Sequence, residues 1–497
     1  MPPSKKLKIL FVTSEVIPFV KTGGLADVSS ALPQKLMEMG HQIRIVCPKY
    51  GAIDERKYKI HEVVRLKDLT TNIGDKEVTY SLRSSFLISQ KNRVQIYFLD
   101  NKEYFASRHS LYADPLTREE FEDNDERYAL FAKAVFELIL KLGWIPDIIH
   151  CNDWQSGLVP LYKNVLFGNE KAFEKIKTIF TVHNMAFQGE FPKKRFPILS
   201  LPDELNSEKG IIHKGKINFL KAGIKYADIV NTVSEGYAKQ ICEDKNISNG
   251  LNKDIVERKN KIVGIINGID TTIWNPEKDK HIERKYNLKT IRDKKENKYA
   301  LLDKFGFEGK PDLPVIGLIS KLYDVKGLNL VQKAFEDLMK LDVRFVLLGT
   351  GDKQYHRFFE EMFMKYSDKF SCYLGFDDEL AHMIEAGADM LLMPSKYEPC
   401  GLNQMYSLNY GTVPIVHETG GLADTVKNYD EAKVTGNGFV FSKFNAKELV
   451  KTIKYAIKIY DKKSEDWLKL MSNGMKMNFS WEKSAKKYLN LYKRATK

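Results

Sequence analysis

The strand-like stretch 8–13 carries a continuous apolar run from Ile9 to Val12, and apolar residues then recur at every third or fourth position from about Gly24 to Gly40. The first pattern predicts a buried strand and the second an amphipathic helix. Further strand-like runs lie at 42–47, 94–99, 147–151, 178–182 and 228–233, with a long helix over 119–142. Continuous apolar runs bounded by turns and separated by helices predict a parallel sheet covered on both faces. The pattern breaks over 275–313, which is polar, lysine-rich and poorly periodic. It restarts with strands at 315–320, 344–348, 370–374, 390–393 and 413–417, and helices near 327–340, 353–366, 378–386 and 401–410. A basic helix over 481–493 is expected to cross back onto the first half. The whole predicts an α/β chain of two Rossmann-like, doubly wound domains facing a central cleft. Their expected spans are 1–265 and 266–480, with 481–497 as the terminal helix packed on the first. In such sheets ligands sit beyond the carboxyl ends of the strands.

Charge changes this picture little. Lys and Arg number 78 against 65 Asp and Glu, a net of +13 over 497 residues. That sign suits nucleic acid, a membrane surface or an anionic small substrate. The charges are spread along the chain, and the densest stretch, 278–298, mixes acids among its lysines. Aromatic residues are not interleaved with basic ones as a single-strand groove requires. No apolar run approaches a membrane span. Neither nucleic acid nor membrane is an expected partner, and most of the charge reads as solvated surface. The five cysteines, Cys47, Cys151, Cys242, Cys372 and Cys400, form no CxxC pair. They read as reduced thiols of a cytoplasmic protein. Lys8 interrupts the first apolar run and Thr-Ser-Glu closes it early, so residues 1–15 read as a first strand rather than a leader.

One hexapeptide, Thr-Gly-Gly-Leu-Ala-Asp, occurs at both 22–27 and 419–424. Each copy follows a predicted strand and opens a predicted helix, which places one on each wall of the expected cleft. Paired glycines let backbone N–H groups approach an anion, and the helix start behind them offers unpaired donors. A tight strand-to-helix turn explains either copy alone; two copies, one preceded by Lys21, point to anion binding. Neither is a GxGxxG dinucleotide loop or a GxxxxGK[ST] phosphate loop. Four other stretches fall at strand ends. Asp153, in His-Cys-Asn-Asp-Trp-Gln, suits a helix N-cap or a sugar hydroxyl. His183 ends a strand beside Asn184. Lys321 and Lys326 precede Gly327 and suit either surface or a phosphate. Glu398 precedes Cys400, Gly401 and Leu402, where a carboxylate also complements a helix start. No metal cluster is evident. The acidic residues Asp123, Asp125 and Glu126 open a helix and read as solvated.

These stretches together resemble the bacterial glycogen synthase family, the ADP-glucose-dependent glucosyltransferases related to plant starch synthases. The matching segments are KTGGLADV (21–28), HCNDWQ (150–155), TVHNMAFQG (181–189), NTVSEGYA (231–238), INGIDTTIWNP (266–276), KGL (326–328), PSKYEPCGLNQMY (394–406) and TGGLADTV (419–426). They stand in the family order over nearly the whole chain. The resemblance implies a retaining GT-B glycosyltransferase that closes over its donor. It implies that Lys21, Gly23 and Gly24 contact the donor diphosphate and sugar, with Asp27 among the donor-binding residues. Asp153 and His183 would hold glucose hydroxyls, with His183 near the reacting carbon. Lys326 would bind the phosphate being released, and Glu398 the sugar. Cys400, Gly401 and Leu402 would line the pocket. Thr419, Gly420 and Gly421 would aim backbone N–H groups at the phosphates. Asn267 and Tyr104 are weaker assignments near the hinge and donor pocket. One position departs: the family usually has Arg where this chain has Lys321, which replaces a bidentate fork by a point charge.

The implied reaction moves glucose from ADP-glucose to the non-reducing end of an α-1,4-glucan with retention, releasing ADP, without metal or other cofactor. Two carboxylates about 5 Å apart would serve a double displacement. The motifs offer one strong acid, Glu398, which favours departure and attack on the same face of the sugar. Two other readings stand beside this one. The first is a UDP-sugar-using enzyme of the same architecture. The second is a catalytically weakened glucan-binding or priming protein, for which Lys321 is the hint.

Overall fold

The computed structural model describes residues 6–89, 92–309 and 312–497. Residues 1–5, ahead of the first strand, 90–91, and 310–311, in the polar segment, lie outside them. The chain divides into two compact units. The first comprises 1–233, 238–265 and 481–497, and the second comprises 234–237 and 266–480. Among the described residues, no helix is long and apolar enough to cross a membrane.

The first unit is built on a ten-stranded sheet. Seven of its strands are parallel, in the spatial order 263–264, 229–232, 177–182, 148–152, 8–12, 42–48, 93–100. Strand Lys8–Val12 is buried at every position but Lys8, as a strand covered on both faces must be. Helix Gly24–Glu38 covers the sheet through Leu25, Val28, Ser29, Leu32 and Leu36, the spacing of one helical face. Strand Lys76–Ile88 then runs antiparallel to 93–100 and pairs with Leu69–Ile73, an extension the alternating pattern did not predict. A small antiparallel sheet of Glu190–Pro192, Ile212–His213 and Lys216–Asn218 was likewise not foreseen.

Helix Trp481–Ala495 belongs to this first unit. Trp481, Ala485, Tyr488, Leu491 and Tyr492 form its buried face. The Tyr492 hydroxyl lies 2.7 Å from His150 Nδ1, and Asn231 donates to the Tyr488 hydroxyl at 3.3 Å. His150 Nε2 meets Thr181 Oγ1 at 2.6 Å. Burial lowers the His150 pKa to about 3, so the imidazole is a neutral structural link.

Two expectations in this unit are corrected. The long helix begins at Asn124, not 119, because residues 113–120 form a bridged turn before it. The acidic residues at its start are not solvated. Asp123 takes both Arg108 guanidinium nitrogens at 2.6 and 2.7 Å. Asp125, about 1% exposed, is held bidentately by Arg195, which also reaches Glu126 at 2.7 Å. Carboxylates removed from water in this way are matched by guanidinium forks.

The second unit carries a six-stranded, wholly parallel sheet in the order 370–373, 344–351, 315–322, 390–393, 413–417, 439–441. Successive residues of a strand face opposite sides. Ile316, Leu318, Phe345, Leu347, Met390, Leu392, Val413 and Ile415 accordingly enter one core. Val315, Val346, Leu348, Leu391, Met393 and Val416 enter the other. Helices Ala446–Lys462 and Ser464–Met475, which the sequence reading did not single out, cover the first core. The polar 275–313 stretch contains a helix, Lys294–Lys304. Its lysines hid it. Lys294 is buried, donating to the carbonyls of Glu385 and Ala386 and to Thr412 Oγ1, while Lys298 pairs with Asp389 at 2.8 Å.

Candidate active site

The parallel parts of both sheets reverse their strand order once. Glu15, Asp153, Lys321, Lys326 and Glu398 stand at or past the ends of the strands at those two points, while Tyr104, Asn267 and Thr419–Gly421 follow other strands. In the first unit, chain order runs outward in both directions from the adjacent strands 8–12 and 148–152. In the second, the reversal lies between 315–322 and 390–393. Such a reversal opens a crevice beyond the carboxyl ends of the two central strands.

Beyond Val12, the chain places Glu15 under the first glycine loop. Its carboxylate is buried and accepts from the Thr22 amide at 2.5 Å, the Thr22 hydroxyl at 2.5 Å and the Gly23 amide at 3.1 Å. The Tyr112 hydroxyl adds a fourth bond at 2.6 Å. Glu15 was read only as the residue closing the first strand. An acid eight residues ahead of a glycine pair is the one signal the sequence carries for it. Because this carboxylate takes the Gly23 amide, that N–H is not among the donors free for a phosphate. Gly24 stands in the first helical turn, where amides have no intrahelical acceptor. A Cβ on Gly23 or Gly24 would meet nothing within 4 Å, so the space above the loop is open. Lys21 is half-exposed and pairs with Asp27 at 3.0 Å. Burial raises the Asp27 carboxyl, with Lys21 opposing.

Beyond the neighbouring strand, Asp153 holds φ +54° and ψ −178°. Only glycine adopts that region without strain, and such strain persists where surrounding contacts enforce it. Its side chain does not cap the short helix Trp154–Ser156 that follows. It accepts the His183 amide at 2.7 Å and the Asn184 amide, joining the ends of strands 148–152 and 177–182. Burial pushes its pKa up to about 7 against those two bonds. His183 Nε2 lies 3.0 Å from Asn152 Oδ1, and Asn152 donates to the Val12 carbonyl at 3.0 Å. Burial lowers the His183 pKa to about 3, so the ring is neutral at physiological pH. Tyr104 is buried, its hydroxyl committed to Glu126 at 2.5 Å.

In the second unit, Lys326 and Glu398 meet across the crevice. Nζ lies 2.6 Å from Oε2, and the Ser395 hydroxyl donates to the same oxygen at 3.0 Å. Gly327 makes this approach possible. At φ +78°, a Cβ there would stand 2.0 Å from the Pro394 carbonyl. Lys321 is exposed near the end of strand Val315–Leu322. Asn267 is buried, and its Oδ1 has no hydrogen-bond partner in the protein. An orphaned buried acceptor costs about 1–3 kcal/mol unless something outside the fold satisfies it. Cys400 is also buried, its thiol bonded to the Asn267 backbone and pushed up to about 12, which makes it an inert lining group. All five cysteines are free thiols. Gly401 turns at φ +72° into helix Asn403–Tyr410, with Leu402 at its N-cap.

The second glycine loop requires a correction. The Thr419 amide donates to the His417 carbonyl at 2.9 Å and the Gly421 amide to the Glu398 carbonyl at 3.0 Å. The Thr419 and Gly421 N–H groups are bound inside the protein, which removes these two from the expected phosphate donors. A Cβ on Gly420 would lie 2.1 Å from Glu398 O, and one on Gly421 2.0 Å from Cys400 O. The glycines let this loop press against residues 398–400. Asp424 accepts the Gly236 amide with both oxygens, at 2.9 and 3.1 Å. Among the described residues, no group of three or more His, Cys, Asp and Glu is placed to hold a metal.

Comparison with known proteins identifies the family of the chain. The family model "Starch synthase catalytic domain" matches residues 8–257, and "Glycosyl transferases group 1" matches 303–470. A glycogen synthase of Desulforudis audaxviator is 40% identical over 501 residues, covering 99% of this chain and 97% of that one. One from Bacillus cereus is 40% identical over 491 residues, covering 98% and 99%. The catalytic domain of Arabidopsis thaliana starch synthase IV, solved bound to ADP and acarbose, is 29% identical. It superposes with a TM-score of 0.88 over 99% of this chain and 100% of that one. Sucrose-phosphate synthase of Thermosynechococcus elongatus, at 19% identity and a TM-score of 0.60, shares the fold. The chain belongs to the glycogen and starch synthase family, glycosyltransferases of the GT-B fold with two Rossmann-like units.

Proposed function

We propose that the protein transfers glucose from ADP-glucose to the non-reducing end of an α-1,4-glucan, with retention of configuration and release of ADP. The observation that carries this reading is the Lys326–Glu398 pair, 2.6 Å apart at the strand-order reversal of the second unit. A cation beside a carboxylate suits a substrate with a phosphate at one end and sugar hydroxyls at the other. Lys326 neutralises the departing phosphate. Glu398 accepts from a sugar hydroxyl, held in place by Ser395. Lys321 adds a second positive charge, and Asn267 offers its unpartnered Oδ1 to the same ligand. In the first unit, Lys21 and the Gly24 amide suit a phosphate. Asp153 and the neutral His183 hold glucose hydroxyls.

The chemistry required of the protein is then positioning and charge stabilisation. The C1–O bond to the diphosphate breaks first, leaving an oxocarbenium-like sugar. The acceptor's 4-hydroxyl attacks the same face and hands its proton to the released phosphate. Lys321 and Lys326 neutralise the diphosphate, so the reading needs no metal. His183, uncharged at neutral pH, serves as a hydrogen-bonding group and not as a general acid.

The test is glucose incorporation into glycogen from ADP-glucose and from UDP-glucose in parallel, each with EDTA present. Incorporation from ADP-glucose, undiminished by EDTA, is the expected result. Preference for UDP-glucose would overturn the donor assignment, and dependence on added metal would overturn the lysine-only account. Bound glycogen without turnover would leave a glucan-binding protein.

A further inference from the structure

The amino ends of the first unit's strands carry a second concave site. A cavity of about 390 Å³ is lined there by Lys6, His41, Arg44, Arg93, Phe86 and Trp144, among others. Lys6, His41 and Arg93 stand just before or at the starts of the parallel strands Lys8–Val12, Gln42–Pro48 and Arg93–Asp100. Glu15 and Asp153 lie past the opposite ends. At about 3.3 Å per residue, the two places are separated by roughly 15–20 Å of sheet.

The lining is one-sided in charge: it holds two arginines, a lysine and a histidine, and neither Asp nor Glu. Arg44 lies over Trp144, its guanidinium carbon 4.4 Å from the ring centroid, with the Tyr97 ring centroid at 5.9 Å. Trp144 is held by an Nε1 bond to Gln42 Oε1 at 3.3 Å. Burial lowers the Arg44 pKa, and its Nη1 is buried with no acceptor. Among the described residues, no carboxylate pairs with Arg44, Arg93 or Lys6. His41 Nδ1 accepts the Leu7 amide at 3.1 Å, which leaves Nε2 as a donor. A half-buried guanidinium without a counter-ion is unfavourable. A folded protein that keeps one, pre-positioned by stacking and beside two further cations, presents a seat for an oxyanion. Two guanidinium groups and an ammonium match the three oxygens of a phosphate. The volume falls in the range of small-molecule sites, about 300–1,000 Å³. Phe86, 46% exposed, adds an apolar wall beside the charge.

We propose that this cavity binds a small phosphomonoester, with its phosphate on Arg44, Arg93 and Lys6 and its organic part against Phe86. The site is distinct from the donor site and does not depend on the reading of that site. The test is calorimetric titration of the full chain with inorganic phosphate, a hexose monophosphate and a nucleoside monophosphate. At least one phosphomonoester is expected to bind at one site more tightly than inorganic phosphate, and the tighter one identifies the organic part. Arg44→Gln is expected to weaken binding at least tenfold. Arg93→Gln, at an exposed position that leaves the fold intact, is expected to do the same. Lys326→Ala, in the donor site, is expected to leave it unchanged. No binding, binding unchanged in both arginine variants, or binding lost in Lys326→Ala would each overturn the proposal. Inorganic phosphate binding as tightly as every ester would overturn its organic half.

Discussion

The same six residues, Thr-Gly-Gly-Leu-Ala-Asp, open a 15-residue helix in the first unit and a 6-residue helix in the second. In the first copy a Cβ on either glycine meets nothing within 4 Å; in the second it strikes backbone oxygens at 2.1 and 2.0 Å. The first aspartate pairs with a neighbouring lysine, and the second receives a backbone amide. Identical sequence therefore answers to different constraints. The first glycines leave room for something that comes from outside the fold. The second are dictated by the fold's own backbone, which they bring against the carbonyl of Glu398. The second copy touches the site through the main chain of Glu398 and Cys400.

The largest expected effect lies under the second copy. Lys326→Ala and Glu398→Ala should each lower kcat by about 10²–10³-fold, the size seen when a positioned charge-stabilising group is removed. Near-normal turnover in either would dissolve the functional half of the comparison. Next, Gly421→Ala should destabilise the second unit by about 3 kcal/mol, an overpacking penalty. Gly23→Ala should alter stability by less than about 0.5 kcal/mol while still slowing transfer. Urea unfolding of both variants beside kinetics checks this pair, and equal stabilities would break the contrast. Asp153 sharpens the first-unit side. Its carboxyl is raised from 3.8 to about 7, so the folded chain holds the proton more tightly than the unfolded one. Its stabilising contribution is full at acid pH and is lost as pH rises through about 7. Asp153→Asn should flatten that decline, and wild-type turnover should rise over the same interval as the carboxylate forms.

Smaller effects separate the two aspartates. Asp424→Ala removes the acceptor of the Gly236 amide and should cost about 1 kcal/mol, like the loss of a helix cap. Asp27→Ala breaks a pair with half-exposed Lys21 and should cost at most about 0.5 kcal/mol. The smallest kinetic effect is Lys321→Arg, which restores a bidentate fork and should raise kcat/KM by about threefold.

The sheets were legible because their central strands are buried on both faces and read as unbroken apolar runs. The strands 390–393 and 413–417 were bounded in the sequence as they stand in the structure. The edges were not legible. Strand Lys76–Ile88 is buried at Val78, Tyr80 and Leu82 on one face and at Ser85 and Leu87 on the other, so no single alternation runs its length, and its mixed composition resembles a loop. Helix Lys294–Lys304 was masked because its inward residues include Lys294 and Lys298, whose ammonium groups reach carbonyls and Asp389 that sequence periodicity cannot weigh. In the candidate site, the residues at strand ends were found by their motifs. Glu15 was missed because its partners, Thr22, Gly23 and Tyr112, lie 7 to 97 positions away. The two glycine loops looked alike because nothing local records that residues 398–400 press on one of them.

The placement of helix Trp481–Ala495 has a consequence for how the polypeptide is made. Synthesis delivers nearly all of the first unit early, yet this helix emerges only after residues 266–480. At about 5–20 residues per second, that interval is on the order of tens of seconds. Throughout it, His150 and Asn231 lack the tyrosine hydroxyls that meet them in the finished molecule. The half begun first on the ribosome is thus completed last. A transcript cut short anywhere in its final stretch leaves an unfinished amino-terminal half beside a second unit already whole.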